Sequence, residues 1–168
     1  MMIRVLVVFL ALLAPAASEA AEWKSRFADS KYMARYSEGE FELTFMCEVN
    51  RFSLSISVKG ANGELSSISE EQKSRKFPVH MIMASDASPD SIIKWGMNLS
   101  ITDAGFIAQE SVYGIRPAGL FGILEASEKN IQIYFQRDDR EFFRKNMNAK
   151  FSTKIAKSAD SYCFAQEK

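Results

Sequence analysis

The sequence predicts a mainly β protein: a β-sandwich or partly open barrel of about seven to nine antiparallel strands, with two short helices, the last at the C-terminus. Three observations predict it. Long segments alternate apolar and polar residues with a period of two. Turn-forming residues recur at short intervals between them. Helical spacing enters only after Pro117 and again after Ser152. The clearest alternation is 41–49, FELTFMCEV, where Phe41, Leu43, Phe45, Cys47 and Val49 share one side and Glu42, Thr44, Met46 and Glu48 the other.

Taken in order, 1–20 opens with Arg4 behind two methionines, continues as an apolar run over 5–14 and closes in small residues. Ser18 and Ala20 fit the small-residue positions before a cleavage site. The run is shorter than the ~20 residues that cross a bilayer. These features predict a signal peptide over 1–20 and a single domain over 21–168, periplasmic or secreted, with no membrane span after cleavage. No cysteine follows the apolar run, so a lipoprotein anchor is not indicated.

Aromatic and charged residues mix from Trp23 to Tyr36, read as two strands around a loop at Asp29-Ser30. A turn at Ser37-Glu38-Gly39 leads into 41–49. Asn50-Arg51 turns the chain into 52–59, where Phe52, Leu54, Ile56 and Val58 alternate with Ser53, Ser55, Ser57 and Lys59. A turn over 60–63 precedes the charged stretch 64–76, a helical turn or a loop. Further strands follow over 77–84, 92–101 and 105–113, with a loop at 85–90. Pro117 sits where a first helical turn accepts proline, and Leu120, Phe121, Ile123 and Leu124 fall on helical spacing, which predicts a helix over 117–127. Strands over 131–137 and 142–151 flank a charged turn at 138–141. Ser152 reads as the N-cap of a last helix whose face carries Ile155, Ala159, Tyr162 and Cys163.

Charge excludes some functions. Lys+Arg and Asp+Glu are both 21, so nothing in bulk electrostatics favours nucleic acid or an anionic membrane. Two cysteines in an exported domain are most simply one disulfide, Cys47 to Cys163. A redox pair would have close spacing such as C-x-x-C, and a two-cysteine metal site would need more histidine than the chain's one.

That histidine, His80, is out of phase with Phe77, Val79, Met81 and Met83, so it reads as a surface residue. No G-x-S-x-G elbow accompanies it. Met81 and Met83 share a face and could supply soft ligands to copper with Trp95 nearby, but methionines so placed are usually core. Glu38, Glu40 and Glu42 read as alternating on one face, and Asp138, Asp139 and Glu141 crowd a loop. Both sets read as solvated acids rather than a hydrolytic pair. The oxygen-rich 85–90 loop lacks calcium-loop spacing. Asn98-Leu99-Ser100 matches a glycosylation sequon inside a strand, read as incidental. No catalytic, cofactor or metal residue set is assigned.

Trp23 soon after the expected cleavage, Cys47 in an early long strand and Cys163 ending the helical segment 151–163 form a recognisable layout. It resembles the invasion-associated locus B family and the accessory periplasmic proteins of type VI secretion. The resemblance implies a periplasmic, envelope-associated binding protein that is not an enzyme. The expected partner is a protein or an envelope component. Two further readings stand beside it: an inhibitor or immunity protein that blocks a cell-wall hydrolase with the 66–76 loop, and a copper-binding protein.

Overall fold

The computed structural model describes residues 21–48, 51–61, 65, 68, 75–87, 92–113 and 117–163. The expected signal peptide, most of the 64–76 stretch and the 88–90 end of the oxygen-rich loop lie outside the described residues. The strands are β1 (Glu22–Ala28), β2 (Lys31–Glu38), β3 (Phe41–Glu48), β4 (Arg51–Lys59), β5 (Phe77–Ser85), β6 (Ile92–Thr102), β7 (Gly105–Tyr113), β8 (Asn130–Arg137) and β9 (Arg140–Asn148). The helices are α1 (Ala118–Ala126) and α2 (Ser152–Cys163).

All nine strands join one antiparallel sheet in the order β1-β2-β3-β4-β7-β6-β5-β8-β9. The sheet is a single curled layer, so of the two architectures expected the chain adopts the partly open barrel. Its concave face is buried, and alternation along each strand decides which residues reach it. In β3, Phe41, Leu43, Phe45 and Cys47 are buried while the residues between them are half-exposed.

The turns fix this register. Asp29 and Ser30 have φ of 51° and 58°, and Asp138 and Asp139 have 49° and 59°. Two left-handed residues in a two-residue loop twist with the strands they join, and aspartate tolerates that conformation. At the β6–β7 turn, Gly105 has φ 148° and lies against β4, where a Cβ would overlap the Val58 carbonyl oxygen.

The helices fill the concavity. Leu120, Phe121, Ile123 and Leu124 of α1 and Ile155, Ala156 and Ala159 of α2 are buried. Ser152 does not cap its own helix as expected. It is the first residue of α2, fully buried, and its hydroxyl donates to the Leu124 carbonyl at 2.7 Å. Thr153 donates likewise to the Glu125 carbonyl at 3.2 Å. The start of α2 thus satisfies carbonyls that the end of α1 leaves open. Cys47 and Cys163 form the expected disulfide, with Cα atoms 5.4 Å apart.

The curl brings the end of β2 to β9. The Asn148 N–H donates to the Tyr36 hydroxyl at 3.0 Å, and Lys145 pairs with Glu38 at 2.9 Å. Beneath them Phe41 stacks on Phe143, and Phe143 also meets Phe106 and Phe135. A bulge makes this cluster possible. Phe135 pairs with Phe143 but Gln136 pairs with Glu141, so Phe142 is an extra residue and it too reaches Phe106 and Phe135. The strand expected over 142–151 runs over Arg140–Asn148, and the bulge interrupts its alternation. No helix of the described residues is long and apolar enough to cross a membrane.

Candidate functional site

The concave face is filled, and among the described residues an accessible concavity lies on the outer face of β1–β4. Alternation sends Lys24 of β1, Arg35 and Ser37 of β2, Glu42 of β3 and Ser57 of β4 outward, and these line a shallow depression of about 600 Å³ together with Glu22, Glu40 and Lys59. Three acids face three bases there. Lys24 pairs with Glu22 at 2.9 Å, and Arg35 pairs with Glu42, which also accepts a hydrogen bond from the Thr44 hydroxyl at 3.2 Å. Farther along the same face Lys31 pairs with Glu48 at 3.2 Å. These groups remain solvated, so the ion pairs are weak and can be exchanged for a partner's charges.

The acids read from the sequence do not act together. Glu38, Glu40 and Glu42 were expected to share a face, and they do not. The two-residue turn after Glu38 makes Glu38 and Phe41 a facing pair, so spacing counted through it no longer reports sidedness. Glu38 therefore lies at the concave rim, where it accepts the Tyr36 hydroxyl at 2.9 Å, while Glu42 points outward. Asp138 and Asp139 are the left-handed residues of the β8–β9 turn. Glu141 is held by Arg144, whose hydrogen bonds lower the carboxyl's pKa against a smaller opposing effect of desolvation.

Asp86, in the oxygen-rich loop, is a structural clamp. Its carboxylate accepts the backbone N–H groups of Glu128, Lys129 and Asn130 at 3.0–3.1 Å, fastening the α1–β8 connection to the end of β5. Desolvation raises the Asp86 pKa, but these bonds together outweigh it and hold the carboxyl below its ordinary range.

The residues weighed for copper divide between faces. Met81 and Met83 are fully buried, His80 is exposed, and Trp95 lies opposite Met81 and packs on Phe52 at 5.9 Å. Among the described residues no group of three or more His, Cys, Asp or Glu could hold a metal ion. Asn98 is exposed and donates to the Glu110 carboxylate at 2.9 Å.

One surface feature departs from the sequence reading, which put Tyr162 on the same helix face as the buried Ile155 and Ala159. Phe27 and Tyr162 are both more than half exposed, at 56% and 54%, and stack at 4.9 Å. Tyr162 stacks also on Tyr32 at 5.7 Å, so an aromatic ledge stands beside the disulfide at the end of β1. The two halves of this ledge are far apart in sequence, and only the cysteine pairing hints at their meeting.

Compared with known proteins, the chain matches no family model, no curated protein and no solved structure.

Proposed function

We propose that this chain is an exported, non-catalytic binding protein of the bacterial envelope, and that it meets a protein or envelope component through the outer face of β1–β4. The observation that carries this reading is the division of the sheet into two faces. The concave side is occupied by the protein's own helices and aromatic rings, whereas the outer side offers a shallow, charge-balanced depression lined by exchangeable ion pairs. Such a surface suits a polar macromolecular patch better than a small apolar ligand, which wants a deep apolar pocket. The disulfide supports export, because such bonds persist in oxidising compartments. A role tied to secretion or host contact would accord with the resemblance of the sequence layout to the invasion-associated locus B and type VI accessory proteins.

The test is site-specific photocrosslinking in cells that express the protein. A photoreactive residue at Ser57 is expected to give a discrete adduct, and one at Asp138, on the β8–β9 turn and outside the residues that line the depression, none. Arg35→Glu should weaken the Ser57 adduct. Equal labelling from both sites, or no adduct from Ser57, overturns the reading.

A further inference from the structure

The sheet has two edges, and the fold treats them differently. β9 is approached by β2, whose Tyr36 hydroxyl accepts the Asn148 N–H. β1 pairs with β2 on one side and has no strand on its other side among the described residues. Its outward groups follow from the turn. A two-residue loop makes the flanking residues, Ala28 and Lys31, a hydrogen-bonded pair. Alternation then gives Arg26, Lys24 and Glu22 their bonds to β2, and the N–H and C=O of Trp23, Ser25 and Phe27 point off the free edge.

We propose that the free edge of β1 takes up an extended segment of a partner protein as a tenth strand, with acidic side chains alternating with apolar ones. This rests on the reading of the chain as a binding protein and names the kind of partner it binds. Charge complementarity selects the acids. Lys24 and Arg26 stand on the outer face of the edge strand. Lys24 has only the exposed pair with Glu22, and Arg26 has no ion-pair partner among the described residues. Lys24 also sits directly opposite Arg35, a like-charge neighbour that an incoming acid would relieve. The apolar positions follow from the other face, where the edge strand presents Trp23, Ser25 and Phe27, and Phe27 joins the exposed ledge with Tyr162.

A second copy of the chain is the poorer occupant. The two-fold antiparallel registers centred on Ser25 and on Arg26 set Lys24 on Arg26 or Arg26 on Arg26 with no acid opposite a base. The one centred on Lys24 sets Lys24 on Lys24 and gains two Glu22–Arg26 pairs, whereas an acidic segment can meet both bases with no like-charge pair between them. A basic edge of this kind discourages self-association and leaves strand addition open to an acidic partner.

The probe is a short capped peptide alternating glutamate with valine, titrated against the intact, oxidised protein. Saturable binding is expected, with slowed hydrogen exchange at the N–H groups of Trp23, Ser25 and Phe27. Replacing its glutamates with lysine should weaken binding by about tenfold or more. Ser25→Pro removes an edge N–H without removing a β1–β2 bond and should abolish binding. Ser25→Ala, which loses the hydroxyl alone, should bind normally. Methylating alternate backbone nitrogens of the peptide asks the same question with the protein untouched, so a folding defect in the proline variant leaves the test decisive. No binding, equal binding of the lysine peptide, or binding that survives peptide methylation overturns strand addition. The crosslink from Ser57 reports separately: if it persists in a protein that binds no peptide, the outer-face reading stands and the edge inference falls.

Discussion

Tyr32 and Tyr36 show what burial does to a single side chain. Burial raises the pKa of both phenols, most strongly for Tyr36, although the Asn148 N–H on Tyr36 and hydroxyl partners on Tyr32 pull the other way. A phenol whose folded pKa lies above its unfolded value near ~10 favours the fold fully below that pH, and the contribution is lost as pH rises towards the folded pKa. Alkali should therefore unfold the protein rather than simply ionise it. Absorbance at 295 nm is expected to show a late tyrosinate phase coincident with loss of the folded circular-dichroism signal. Complete ionisation with the fold intact would contradict this. Neither phenol's environment was legible in the sequence, because Tyr36 meets β9 and Tyr32 donates to the Ile155 carbonyl at 3.3 Å, contacts made by the curl and by α2.

At the scale of elements, the helix α2 depends on three attachments: the disulfide at its end, the hydroxyls of Ser152 and Thr153 at its start, and Tyr32 between them. The disulfide closes a loop of 116 residues, which in the chain-entropy picture contributes about 4–5 kcal/mol. Reduction should lower the melting temperature and release the last turn of α2 first. Hydrogen exchange would then quicken around Tyr162 before it quickens in β3; simultaneous loss across both would show that the helix has no separate opening. Strands and helices were largely readable here, since each rests on local periodicity: β3, β4 and α1 lie within a residue or two of their expected bounds. The bulge at Phe142 and the Glu38–Phe41 facing pair were not, because both change which residues share a face without changing composition.

For the whole molecule, the sequence pointed to a β protein closed from its far end but left sandwich and partly open barrel unresolved. Strand alternation states which side is buried; it does not state what covers that side. Here one curled sheet folds over two helices, and the cysteine pair was the single long-range contact that could be read in advance. The outer-face depression was not read from the sequence, because the turn after Glu38 changes which acids reach that face and the alternation does not state which outward side chains converge.

The long separation of the two cysteines has a consequence in time. β1 to β4 are neighbours in both sequence and sheet, so they can assemble as soon as that part of the chain is available. Cys47 then waits on an apolar surface for a helix that comes last. During that interval its nearest thiol belongs to another molecule. Oxidative refolding at rising protein concentration should accumulate dimers joined through Cys47, detectable by peptide mapping without reduction, and a Cys163→Ala chain should trap them. Refolding yield independent of concentration would show that the helix arrives before Cys47 can be captured.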